Sequence, residues 1–133
     1  MSAVVDASLL IAATVDAGPE GAWAEDVVAA GNLVAPDLAL VEATNILRRL
    51  ELAGRLERLE ASDAARDLIQ LDLELIPFAP FANRIWELRA NVTSYDAWYV
   101  AAAEELDLPL ATVDRRLADA TGPRCRFLLP PPA

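Results

Sequence analysis

Four carboxylates stand where an apolar run ends or a helix is due to begin. Asp6 follows Val4-Val5, and Glu42 closes the run Pro36-Asp37-Leu38-Ala39-Leu40-Val41. Asp96 lies within Ser94-Tyr95-Asp96-Ala97-Trp98, and Asp114 follows Leu110-Ala111-Thr112-Val113. Carboxylate oxygens are hard ligands suited to Mg2+ or Mn2+. Brought together without a cation they repel one another and take up protons, and a divalent ion removes that need. Such a set could support metal-assisted hydrolysis of a phosphodiester, with water in line with the leaving oxygen. Asp6, Glu42, Asp96 and Asp114 are therefore the candidate catalytic and metal-binding residues. The expected division has Asp6 and Asp96 holding the main ion, with Glu42 and Asp114 completing the shell, orienting water or recruiting a second ion.

Each acid also has an ordinary structural use. Asp6 could cap a helix starting near Ser8, and Asp114 the short helix Arg115 to Ala120. Thr93-x-x-Asp96 resembles a capping box with aspartate in place of glutamate. Glu42 lies between Val41 and Ala43 beside an apolar stripe, and could sit at its exposed edge. Capping and ligation are compatible, because a carboxylate that accepts a backbone hydrogen bond still has lone pairs to offer. The set of four carries the inference.

The elements that must position these acids alternate between strand and helix. Residues 2 to 6 read as a buried strand and Ser8 to Val15 as a helix. The Gly18-Pro19-Glu20 break opens a second helix up to Gly31, with Trp23, Val27, Val28 and Ala30 on its apolar face. Leu33 to Ala35 is a strand closed by Pro36. A helix over 38 to 53 follows, striped by Ala39, Ala43, Ile46, Leu47 and Leu50 and stopped by Gly54. A helix over 57 to 72 is expected to turn Leu59, Ala64, Leu68 and Leu71 inward. Leu75-Ile76 is a strand, Ala82 to Ala90 and Tyr95 to Leu106 are helices, and Leu110 to Val113 and Phe127 to Leu129 are the last strands. This alternation implies an α/β fold with a parallel sheet covered on both faces. Ligands of such sheets bind outside the carboxyl ends of the strands, where distant segments meet.

Composition narrows the chemistry. The chain has 133 residues, 55% of them hydrophobic, enough for one domain over 1–133 with a single core. It contains no histidine, and all 11 basic residues are arginine. A Ser-His-Asp triad, a His-Glu-x-x-His zinc helix and histidine acid–base ribonuclease chemistry are excluded, as are a P-loop lysine and a Schiff base. Receivers and dehalogenase-type phosphatases, which also begin from an aspartate after the first strand, ordinarily need a lysine. Cys125 is the only cysteine, so there is no intrachain disulfide or thiolate zinc site. No apolar run is long enough for a membrane helix, and the expected location is cytoplasmic. The net charge of −10 argues against a wide basic surface for nucleic acid. Local arginine groups could still track phosphates: Arg48, Arg49, Arg55 and Arg58; Arg84 and Arg89; Arg115, Arg116, Arg124 and Arg126.

The ordered set of motifs resembles the PIN-domain family, and more closely its VapC-type toxins of prokaryotic toxin–antitoxin modules. The motifs are Val-Val-Asp6-Ala-Ser8, Pro36-x5-Glu42-x2-Asn45, Tyr95-Asp96-Ala97-x-Tyr99-Val100-Ala101-x-Ala103, and Leu110-Ala-Thr112-x-Asp114-x2-Leu117, running essentially end to end. The resemblance implies a three-layer α/β/α PIN-like fold around a central parallel sheet of about four or five short strands. It implies a Mg2+- or Mn2+-dependent endoribonuclease, with Asp6, Glu42, Asp96 and Asp114 matching the family's four acids. Thr112 matches a hydroxyl beside the last acid, and Ser8 a residue near the first. If water rather than the ribose 2′-hydroxyl attacks, the products carry 5′-phosphate and 3′-hydroxyl ends; the resemblance suggests a transfer or ribosomal RNA as substrate. A VapB-type antitoxin would cover the acidic groove, commonly with an arginine among the carboxylates, and a homodimer is expected. Trp23, Trp86, Trp98 and Tyr99 are candidate anchors for either partner. Two rival readings are a non-catalytic binding module that uses the acidic groove for a basic peptide or structural metal, and another phosphoryl hydrolase such as a DNA nuclease or small phosphatase.

Overall fold

The computed structural model of the chain describes residues 2–132. Five parallel strands form one sheet among them: β1 (Ala3–Val5), β2 (Leu33–Pro36), β3 (Leu73–Ile76), β4 (Leu110–Ala111) and β5 (Phe127–Leu128), in the order β3-β2-β1-β4-β5. The helices are α1 (Ala7–Val15), α2 (Pro19–Ala29), α3 (Ala39–Leu52), α4 (Arg58–Gln70), α5 (Ala82–Glu87), α6 (Ser94–Leu106) and α7 (Arg115–Asp119). β1 and β2 are buried throughout, which is why they read as unbroken apolar runs rather than alternating ones.

The chain winds outward from β1 through α1–α2 to β2 and through α3–α4 to β3. It then crosses back through α5–α6 to β4 on the other side of β1. Right-handed crossovers in opposite directions put α1–α4 on one face and α5–α6 on the other, giving the three-layer α/β/α arrangement expected. The reversal falls between β1 and β4, and there the carboxyl ends of two adjacent strands part to leave a crevice. No helix among the described residues is long and apolar enough to cross a membrane.

Two close approaches set the helix positions. Gly21 packs on the backbone of Asp16, so near that an added Cβ would lie 1.8 Å from the Asp16 carbonyl oxygen. On the opposite face, α6 presents buried Ala97, Val100, Ala101, Ala102 and Ala103, small side chains that let it lie close against β1, β2 and β4. Glu104 at its end accepts from Arg84 Nε and from the Arg124 backbone, both at 2.7 Å, which ties α5, α6 and the approach to β5 together.

Several expectations need correcting. α4 turns Ala61, Ala64 and Leu68 inward, whereas Leu59 is 70% exposed and Leu71 only half-buried. Leu59 lies five residues before Ala64, well off the stripe that period 3.6 defines. Ala30 is exposed at the end of α2. β3 begins at Leu73, two residues early, because its backbone follows β2 from Leu33 opposite Leu73 onward. The helix placed over 82 to 90 is α5 alone, flanked by 3-10 turns at Ala79–Phe81 and Leu88–Ala90.

Candidate active site

The register of β1 and β4 builds the centre of the site. Val5 pairs with Ala111, so the residues that follow, Asp6 and Thr112, leave the sheet side by side. Both are almost wholly buried, the only polar residues in the core among those described. Asp6 caps α1, accepting at Oδ1 from the Leu9 backbone at 2.9 Å and from Ser8 Oγ at 2.7 Å. Thr112 Oγ1 donates to Asp6 Oδ2 and accepts from the Asp114 backbone N–H at 3.0 Å. Ser8 and Thr112 hydroxyls lie 3.2 Å apart and close the network.

The other acids reach the same edge of the sheet from helix starts. Asp114 caps α7, accepting from the Arg116 and Leu117 backbones at 3.0 and 3.3 Å. Asp96 occupies the first turn of α6, where Thr93 caps the helix by accepting from the Asp96 backbone at 3.2 Å. Glu42 occupies the first turn of α3, and its Oε1 accepts from the Tyr99 hydroxyl at 2.7 Å. The capping uses anticipated for Asp6 and Asp114 therefore coexist with membership of the acidic edge. Glu42 is half-buried rather than at an open edge.

Electrostatics ties the four together through Asp96. Burial pushes the Asp6 carboxyl up from 3.8 to about 6; Thr112, Leu9 and Ser8 hold it back by hydrogen bonding, and the charge of Asp96 adds to the rise. Glu42 is raised by burial and by Asp96, against the hydrogen bond from Tyr99. Asp96 is raised by burial and by Asp114, against the pull of Thr93 and Arg116. Arg116 Nε stands 3.8 Å from Asp114 Oδ1, but its side chain is 97% exposed and screened by water, so it offsets little of this charge.

Among the described residues, no three carboxylates stand close enough to hold an ion between them as they are placed. The donor chemistry nonetheless fits a hard divalent cation: the side chains are all-oxygen, three of them have their proton affinity raised by burial and by a neighbouring carboxylate, and the Arg116 guanidinium beside them is solvated. A shallow groove of about 290 Å3 between Thr93, Asp96, Asp114 and Arg116 opens this edge to solvent. The larger groove, of about 890 Å3, lies between Trp23, Arg115 and Pro130–Pro132 and contains none of the four acids.

The aromatic residues divide. Tyr99 is 2% exposed and committed to Glu42, so it is no partner anchor. Its place could have been read from spacing, since Asp96 and Tyr99 are three apart and share a helix face. Trp98 is half-buried, edge-on to Phe78 with centroids 5.5 Å apart. Trp86 is exposed beneath the Arg89 guanidinium, 4.3 Å from its ring centre, and Trp23 is half-buried in the larger groove.

Comparison with known proteins gives the same picture. The family model described as PIN domain matches residues 3–123. The chain is 38% identical over 128 residues to VapC ribonuclease Mb0985 of Mycobacterium bovis, covering 96% of this chain and 98% of that protein. It is 36% identical over 127 residues to ribonuclease VapC1 of Mycobacterium tuberculosis, covering 95% and 96%. In fold it is similar to the crystal structure of VapBC2 from Rickettsia felis bound to a DNA fragment from their promoter. That match has a TM-score of 0.69 at 14% identity, over 98% of this chain and 100% of the other. With a parallel sheet in the order β3-β2-β1-β4-β5, four acids along its carboxyl edge and this kinship over nearly its full length, the chain belongs to the PIN-domain family, in its VapC branch.

Proposed function

We propose that this protein is a metal-dependent endoribonuclease, the toxin of a toxin–antitoxin module. The observation that carries the reading is the acidic edge itself: Asp6 placed by β1, Asp114 by β4 through Thr112, and Asp96 and Glu42 by helix starts, with the charge of Asp96 raising the proton affinity of Asp6 and Glu42 and that of Asp114 raising Asp96. The ribonuclease names of its 36–38% identical relatives support the substrate class.

Asp6 and Asp96 would hold a Mg2+ or Mn2+ ion, with Glu42 and Asp114 completing its shell. The ion supplies charge that lowers the proton affinity of water and offsets the charge growing on the phosphate. Ser8, Thr112 and the Leu9 N–H fix the Asp6 carboxylate in one rotamer, so it need not reorganise as charge develops. Arg116, exposed at the groove, is positioned to meet an RNA phosphate. Attack by water rather than by the ribose 2′-hydroxyl leaves 5′-phosphate and 3′-hydroxyl ends. Transfer RNA or ribosomal RNA loops are the proposed targets.

The VapBC2 likeness supports a VapB-type antitoxin as the partner; an arginine of that partner would complement the carboxylates through charge-assisted hydrogen bonds. A homodimer is proposed with exposed Trp86 as a candidate anchor. The test is cleavage of total prokaryotic RNA by antitoxin-free protein with Mg2+ or Mn2+, beside EDTA and Asp96→Asn controls, with single-stranded DNA and a phosphomonoester in parallel. A few discrete RNA cuts bearing 5′-phosphates, lost in both controls, are expected. Ends in 2′,3′-cyclic phosphate would refute water attack, and no cleavage by folded, metal-loaded protein would leave an acidic binding module.

A further inference from the structure

Asp6 and Asp114 are each held by backbone N–H groups at a helix cap, whereas among the described residues no backbone N–H donates to the Glu42 side chain. It is a long side chain in the first turn of α3, only half-buried, and free rotation would cost it much of its value as a ligand. A single group holds it. The Tyr99 hydroxyl, on a ring with 2% exposure, donates to Oε1 at 2.7 Å, and among the described residues no protein group donates to Oε2.

We infer that Tyr99 is a positioning residue, which aims Glu42 Oε2 into the acidic edge and couples α3 to α6 at the site. Tyr99 stands three residues after Asp96 on the same helix, so one rigid segment carries both an acid of the site and the donor that orients another. Burial, the hydrogen bond to Glu42 and the charges of Glu42 and Asp6 all raise the proton affinity of the phenol, so its hydroxyl stays a hydrogen-bond donor. The ring is too deeply enclosed to touch RNA. Its effect therefore runs through Glu42, as partners behind metal ligands act by fixing orientation, typically worth about 10–100-fold in metal affinity or activity. The role rests on the metal-dependent reading of the site given above.

The test compares Tyr99→Phe, Glu42→Ala and the double variant, measuring Mn2+ binding by calorimetry and RNA cleavage at saturating Mn2+. Tyr99→Phe should weaken Mn2+ binding about 10-fold or more and lower kcat while leaving KM for RNA unchanged, and it should add nothing in the Glu42→Ala background. Parental Mn2+ binding and kcat in Tyr99→Phe, with Glu42→Ala impaired, overturn the inference alone. The same loss from Tyr99→Phe with and without Glu42 does so too. Glu42→Ala with parental binding and cleavage overturns the site reading and the inference together. One measurement needs no substitution at Tyr99: its hydroxyl proton should exchange slowly and give a resolved NMR signal that Glu42→Ala removes. Exchange at the solvent rate in the unsubstituted protein refutes the hydrogen bond, whatever the stability of Tyr99→Phe.

Discussion

Asp6→Asn should destroy catalysis and, in metal-free buffer at neutral pH, make the protein more stable. Asp6 is buried beside Asp96, and its carboxyl titrates near 6 in the folded chain against 3.8 ordinarily. An acid whose pKa is raised by folding binds its proton more tightly in the native state, so stability falls as pH rises through the interval between the two values. Below about pH 4 both states are protonated and nothing is lost. Above about 6 the native state carries the full cost, roughly 3 kcal/mol for a rise of about two pH units. Asparagine is neutral throughout. Its oxygen can keep the Ser8 and Leu9 donors, and its amide meets the Thr112 hydroxyl, which can turn its own proton toward Ser8 Oγ, 3.2 Å away. Allowing about 1 kcal/mol for that rearranged hydrogen bond leaves a gain of about 2 kcal/mol. Urea unfolding in EDTA at pH 7.5 and pH 4 measures it: the gain should be present at the first and gone at the second. Adding Mn2+ at pH 7.5 should stabilise the parent by mass action and the variant far less. Equal stability of parent and variant at pH 7.5, or a gain that persists at pH 4, would refute the reasoning.

Two further substitutions probe the frame around the site. Thr112→Val keeps the shape but removes the donor to Asp6 and the acceptor of the Asp114 N–H, inside a fully buried position. It should cost about 2–4 kcal/mol in urea and lower cleavage at least about 10-fold; a parental urea midpoint would show that the network carries no weight. Gly21→Ala forces a methyl onto the Asp16 carbonyl oxygen, so α1 and α2 must part. A loss of about 3 kcal/mol or more, read from thermal unfolding, is expected, since neither backbone can yield locally; a shift below about 1 kcal/mol would mean the helices separate freely.

The order of elements and the four acids were legible because both depend on local patterns: unbroken apolar runs for buried parallel strands, and acids at strand ends or helix starts. The limits of α4 show where such reading fails. A large residue such as Leu59 draws attention, yet the helix buries the alanines Ala61 and Ala64, because the approach of α4 to α1 and α3 needs small side chains there. Tyr99 was misread for a related reason. An aromatic residue beside an acid fits an interface as well as a core, and only the fold reveals that Glu42, 57 positions away, stands opposite its hydroxyl. The pairing of Thr112 with Asp6 needs the β1–β4 register, which no local pattern encodes. Strand ends were the least legible, since β4 and β5 are two residues each and defined by their neighbours rather than by their own composition.

The Thr112–Asp6 hydrogen bond also bears on the life of the nascent chain. Its partners are 106 residues apart, and β4, which delivers Thr112, is held between β1 and β5. All the residues between the two partners must be synthesised before that bond can form. Until then Asp6 ends an incomplete sheet and Asp114 has no place beside it. The acidic edge is therefore a product of the finished sheet, and a nascent chain that carries Asp6 and Glu42 without β4 holds the acids but not the site.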